Sequence, residues 1–262
     1  VVGRPITQAA DPDAAVEALA RLHEAPTPGM LNGPAGDWPL LAYDETALQG
    51  GADLFVEWLP KLEPRLRFDE AAVAEWRAAW APIVRMGSEG ATVMAHRDYH
   101  AENLIWLEAR NGPARVGMID FQDAVMGHPA YDVASLLQDA RVDASAEFEL
   151  RLLGLYARER RGRDPAFDVG AFATAYALLA AQRATKILGI FARLDRRDGK
   201  PGYLAYQPRV WGYFERNLAH PALAPVADAA AAARRDGDAA EEDRWLRAVE
   251  ELVAAAHGAV QR

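Results

Sequence analysis

The densest run of chemically capable side chains is His96-Arg97-Asp98-Tyr99-His100-Ala101-Glu102-Asn103, and 17 positions after Asn103 the chain carries Asp120, within Ile119-Asp120-Phe121-Gln122-Asp123. Between them lie two short apolar runs separated by polar residues, which predict a β-hairpin with strands at 104–107 and 116–119. A hairpin returns the chain to its origin, so Asn103, just before the first strand, and Asp120, just after the second, lie at the same end. Together they can hold one hard cation. Phosphoryl transfer needs such oxygen ligands, because magnesium favours oxygen and takes only one or two protein carboxylates beside the substrate phosphates. It also needs a group that accepts the hydroxyl proton. A second chemistry is open to the same segment: in an extended chain His96-x-Asp98-x-His100 alternates three side chains onto one face, the donor set of a metal-dependent hydrolase. The other histidines, His23, His128, His220 and His257, are scattered and supply no second cluster.

The elements that must position these residues are mostly helical. Asp11-Pro12 reads as an N-cap followed by proline at the first helical position, with Val16, Leu19, Leu22 and His23 on one side of a helix that stops before Pro26. Ala25 to Asp44 is rich in Pro, Gly and Asn and reads as an irregular connection. Helical spacing follows over Glu45–Leu59 and Glu70–Met86, with Trp58, Trp76 and Trp80 as bulky anchors, and returns over Tyr131–Leu137, Ala146–Arg160, Val169–Leu194 and Pro208–Leu218. Thr92 to His96 reads as a strand leading into the reactive cluster. The expected class is α+β, helices around one small β element.

Composition narrows the partners. The chain has 262 residues and a net charge of −9, a poor match to nucleic-acid backbones, and no cysteine, so disulfides and thiolate ligands are excluded. The longest weakly polar stretch, Gly170 to Gln182, is shorter than the roughly 20 residues that span a bilayer. A small-molecule partner, no membrane and a reducing cytoplasm are the expectations. The first residues, Val1 to Pro5, carry no signal pattern and no initiating methionine, which is expected of a cut rather than a native terminus.

His96-x-Asp98-x-His100-x-x-Asn103, Ile119-Asp120-Phe121 and Tyr131-Asp132-Val133-Ala134 resemble the aminoglycoside phosphotransferase and choline kinase-like superfamily. The run His96 to Leu104, Ile119 to Ala124, Gln182-Arg183 and Gly189 to Arg193 is closer to its bacterial cell-wall amino-sugar kinases, which phosphorylate the anomeric hydroxyl of N-acetylmuramate and N-acetylglucosamine. The resemblance implies an ATP- and magnesium-dependent kinase with a protein-kinase-like carboxyl-terminal lobe. It implies Asp98 as catalytic base, Asn103 and Asp120 as metal and nucleotide ligands, His96 as a brace for the loop, and Asp132 as an anchor of the loop backbone. From the residues alone, Asp132 also reads as a helix N-cap. His100, Glu102, Gln182 and Arg183 are further candidates for substrate contact, with a solvated face the alternative for Gln182 and Lys186. Trp58 and Trp106 are able to stack on a sugar but are expected in the core. The acceptor implied is an amino sugar rather than a polycation.

The family places a β-rich lobe with a phosphate-contacting lysine ahead of a hinge, whereas the lysines here, Lys61, Lys186 and Lys200, all follow it. The expected organisation is a hinge remnant over 1–13, a kinase-like carboxyl-terminal lobe over 14–225 and an alanine-rich helical tail over 226–262. A lobe of that kind without catalysis, binding a partner or a sugar, is the remaining alternative.

Overall fold

A computed structural model describes residues 4–5, 11–34, 36–64 and 66–232. Most of the expected hinge remnant and tail, including the charged break at 234–238, lies outside them. The chain divides into two compact units, one built from the chain up to Glu45 and from Arg85 to Ala180, the other from Thr46 to Val84 and from Ala181 onwards.

In the first unit, α1 (Pro12–Leu22) starts where the Asp11 side chain accepts the Ala14 backbone N–H at 3.1 Å. That bond satisfies one orphan donor of the first turn. Ala14, Ala15, Val16, Ala18, Leu19 and Ala20 are buried. The small residues allow close packing on α5 (Ala146–Arg163), whose own N-cap is Ser145. The expected hairpin forms from β5 (Leu104–Trp106) and β6 (Val116–Met118), registered Leu104↔Met118 to Trp106↔Val116. β1 (Arg4–Pro5) adds to its outer side, giving the order β1-β5-β6. β4 (Val93–Ala95) pairs antiparallel with β7 (Val125–Gly127), which leads into α4 (Pro129–Leu137).

The stretch 25–44 departs from expectation. It holds a two-stranded hairpin, β2 (Met30–Gly33) with β3 (Gly36–Pro39). Gly36, at φ 118°, takes a conformation open to glycine at little cost. Both strands are exposed along their whole length, so no apolar alternation marks them in the sequence.

The second unit is cored by aromatic rings. Phe55 of α2 (Glu45–Leu62) stacks on Trp76 of α3 (Glu70–Glu89) at 4.9 Å, Trp76 meets Trp80 edge-on, both anchors as their spacing predicted, and Trp211 and Phe214 of α7 (Gln207–Leu218) close the cluster. α2 runs past its expected end at Leu59 through Pro60, and α3 runs past Met86 to Glu89 with Pro82 in its interior, as expected. An internal proline costs about 3 kcal/mol, and the burial of Leu59, Trp80, Ile83 and Val84 around these positions offsets it. Trp58 is only half-buried, with Lys61 Nζ 3.6 Å above its ring, so it is no core anchor. α6 (Val169–Arg196) passes Leu54 at Gly189, where a Cβ would come within 2.4 Å of the Leu54 backbone. α8 (Ala224–Ala232) is the last described element. Among the described residues no helix is long and apolar enough to cross a membrane.

Candidate active site

β4 ends at Ala95, and the chain turns through His96 to His100 into a 3-10 turn, Ala101–Asn103, before β5. Because Leu104 pairs with Met118, the next residues outward meet too: Ile119 N–H donates to the Asn103 carbonyl at 3.0 Å. Asp120 follows at once. Asn103 Nδ2 donates to the Asp98 carbonyl at 2.9 Å and lies 3.5 Å from Asp120 Oδ2. Asn103 and Asp120 therefore meet at one end, as the hairpin argument requires, with the Asp98 backbone carbonyl beside them. A carbonyl only accepts, so the amide nitrogen of Asn103 is committed on that side and its Oδ1 faces away as an acceptor. Asp120 is exposed, and Gln122 Nε2 donates to its Oδ1 at 2.8 Å. The Asp98 carboxylate, half-buried, accepts no hydrogen bond among the described residues, so its oxygens are available to a substrate proton.

The loop is braced from below. His96 is buried and Nε2–H donates to the Ile119 carbonyl at 3.0 Å, tying the loop to the residue before Asp120. Asp132, fully buried on α4, accepts the backbone N–H groups of His96 at 2.6 Å and Arg97 at 2.8 Å. Arg97 stands at φ 70° and Asp120 at φ 65°, a region that costs non-glycine residues about 1–2 kcal/mol. The Asp132 carboxylate offsets that strain at Arg97. Asp132 does not cap α4; His128 does, its Nδ1 accepting from Ala130 N–H at 3.1 Å.

Beneath Asp132 lies a group that its spacing did not mark as part of a site. His23 Nε2 meets Asp132 Oδ2 at 3.2 Å, and its Nδ1 meets the Tyr156 hydroxyl at 2.7 Å. A carboxylate accepts, so Nε2 carries the proton and Nδ1 receives the tyrosine's. Burial pushes the His23 pKa down, against the opposing hydrogen bond and charge of Asp132, and burial raises that of Tyr156. Tyr99 donates to the Ala15 carbonyl of α1 at 2.8 Å, and Asp139 accepts Ala101 N–H at 3.1 Å, so α1, α4 and the segment after α4 all hold this loop.

The remaining candidates separate. His100 is buried, with Nε2 3.5 Å from Asn103 Nδ2. Glu102 is ion-paired to Arg141 at 2.6 Å on the surface. Gln182 and Arg183 belong to the second unit and are buried, so Gln182 is not part of the solvated face expected with Lys186, which is half-buried; the Gln182 amide donates to the Leu48 carbonyl at 2.7 Å. Arg97 lies half-buried over the Tyr43 ring at 5.1 Å and donates to the Asp123 carbonyl. Trp106 is in the core, under Arg115. The hydrolase arrangement does not form: the left-handed turn at Arg97 interrupts the alternation it needs. Among the described residues no group of three or more His, Asp or Glu is arranged to hold a metal.

The cap of α4 has a consequence for stability. Burial lowers the His128 pKa from 6.5 to about 4. A depressed histidine means that the unfolded chain binds the proton more readily, so the stabilisation is complete above about pH 6.5 and is lost as pH falls towards 4. His128→Asn keeps a capping side chain without the titration. The difference in urea midpoint between the original protein and this variant is expected to shrink between pH 7 and pH 4.5; a difference independent of pH would contradict the assignment.

Residues 4–167 match the sequence profile of the phosphotransferase enzyme family. The chain is 52% identical over 214 residues to the N-acetylmuramate/N-acetylglucosamine kinase of Caulobacter vibrioides, covering 82% of this chain and 58% of that protein. It is 33% identical over 217 residues to the protein of the same name from Pseudomonas putida, covering 82% and 60%, and 31% identical over 219 residues to that of Neisseria meningitidis serogroup B, covering 81% and 60%. The chain thus spans less than two thirds of the length of these relatives.

Proposed function

Because the chain belongs to the phosphotransferase enzyme family, we propose that it carries the catalytic loop and metal ligands of an ATP-dependent kinase that phosphorylates the anomeric hydroxyl of an amino sugar. The observation that carries this reading is the Asn103 amide, fixed on the Asp98 carbonyl and facing the Asp120 carboxylate. Asp98 takes the proton of the attacking hydroxyl, which general-base catalysis requires near the reacting oxygen. Asn103 Oδ1 and the Asp120 carboxylate are hard oxygen donors of the kind magnesium prefers, and they fit it better than they fit zinc. When bound, that ion supplies charge neutralisation for the phosphates of ATP. His96 and Asp132 keep the loop backbone in place, so the base and the ligands stay in register. The acceptor class rests on the names of the relatives, all N-acetylmuramate/N-acetylglucosamine kinases.

The test is a substrate panel on the full-length protein with Mg-ATP. N-acetylglucosamine or N-acetylmuramate is expected to turn over at least about tenfold faster, in kcat/KM, than kanamycin-like polycations, a difference of about 1.4 kcal/mol in transition-state binding. Faster turnover of the polycations reverses the acceptor assignment. Zinc retention and hydrolysis without nucleotide would replace the kinase reading altogether.

A further inference from the structure

The hairpin of β2 and β3 is not used by the mechanism above, yet the segment that follows it is anchored on β7, whose partner β4 leads into the catalytic loop. Ala42 bridges Met126 in parallel, with Met126 N–H donating to the Leu41 carbonyl and Tyr43 N–H to the Met126 carbonyl, both at 2.8 Å. Met126 is the central residue of β7, which pairs antiparallel with β4 so that Val125 sits opposite Ala95. Val125 follows the Asp120 loop and Ala95 precedes His96. In a parallel register, the residues before Ala42 lie towards that same end. Trp38 is four residues before Ala42, so their Cα atoms are at most about 14 Å apart. The Tyr43 ring itself lies under the guanidinium of Arg97, the neighbour of Asp98.

Trp38 is 68% exposed, and its direct cross-strand partner Leu31 is 39% exposed, so the two present one apolar face to solvent. The next pair, Asn32 and Asp37, is joined by a side-chain hydrogen bond of 2.7 Å and faces the other way. From Pro28 to Tyr43 there is no lysine or arginine, and the lone carboxylate, Asp37, is occupied by Asn32. Such a face offers nothing to a phosphate or a polycation. It suits an uncharged ring with an apolar side, because an indole presents a broad flat surface with a polar edge.

We propose that Trp38, backed by Leu31, is a stacking platform for the neutral acetamido-sugar ring of the acceptor, and so a specificity-determining residue of the site. This rests on the amino-sugar reading and names the part of the chain that recognises the ring. The hairpin is exposed along its length, so changing Trp38 does not remove core packing.

In the full-length protein, Trp38→Ala is expected to raise KM for N-acetylglucosamine about tenfold, leaving kcat, KM for ATP and the melting temperature nearly unchanged, while Trp38→Phe recovers most of the loss. Saturation-transfer NMR should show the sugar ring protons receiving magnetisation in the original protein and losing it in Trp38→Ala. Normal amino-sugar turnover by the original protein with an unchanged KM in Trp38→Ala overturns the platform and leaves the kinase reading standing. Absence of amino-sugar phosphorylation and of any sugar NMR signal in the original protein removes both. A change from dimer to monomer in light scattering on Trp38→Ala, with sugar KM unaltered, assigns the face to self-association instead and also overturns it.

Discussion

Asp98→Asn in the full-length protein is expected to lower kcat by about 10²–10⁴-fold, the usual contribution of a positioned general base. The substitution keeps the size and shape of the side chain and removes its capacity to accept a proton. The loop does not depend on that carboxylate for its shape: the Asp98 backbone carbonyl, not its side chain, receives Asn103 Nδ2 and the His100 N–H at 2.9 Å. Asp132 fixes the two preceding backbone amides in either protein. Mg-ATP affinity and thermal stability should therefore stay close to those of the original, and the loss should appear in turnover. Single-turnover kinetics with saturating amino sugar, beside calorimetry with Mg-ATP, separates the two. Near-native turnover in Asp98→Asn would remove Asp98 from the role of base.

The second large effect is expected at Asp120. Asp120→Asn removes the whole negative charge of the proposed ligand pair, since Asn103 is neutral, while keeping a residue type that tolerates the left-handed backbone found there, at φ 65°. Asp120→Ala removes the ligand outright but adds backbone strain, so the asparagine variant is the cleaner measurement. Changing even the outer partners of a metal ligand typically costs about 10–100-fold in metal affinity, and loss of a ligand charge should cost at least as much. The expected result is a magnesium-dependent stabilisation by ATP that is present in the original protein and absent in Asp120→Asn. The side chain is exposed, and its partners, Gln122 Nε2 at 2.8 Å and Asn103 Nδ2 at 3.5 Å, can still donate to the asparagine's amide oxygen, so the unliganded melting temperature should move little. Full retention of magnesium-dependent ATP binding by both variants would exclude Asp120 as a ligand.

What the sequence determined by itself is what local rules govern. The N-cap at Asp11, the spacing of the helices, and the hairpin from 104 to 118 are all encoded by neighbours a few residues apart. Once a hairpin is placed between Asn103 and Asp120, their meeting follows from antiparallel pairing, which is why the centre of the candidate site was legible before its surroundings. The fold family was legible for the same reason, since its motifs lie in that contiguous segment.

Tertiary structure alone decided the contacts between distant segments. His23 reaches Asp132 across 109 residues, and nothing in the pattern of α1 distinguishes a histidine facing a carboxylate from one facing a carbonyl. The cap of α4 moved from Asp132 to His128 because Asp132 is spent on the loop amides, a competition between two uses that only the folded chain resolves. Gln182, paired with Lys186, reads as part of a solvated face, since helical periodicity says which residues share a side and not whether another helix covers it; packing of the second unit buries Gln182. The β2–β3 hairpin escaped notice because both its faces meet solvent, leaving no alternation to read. Its anchoring on β7 depends on Ala42 meeting Met126, a parallel pairing between segments 84 residues apart that local sequence does not specify.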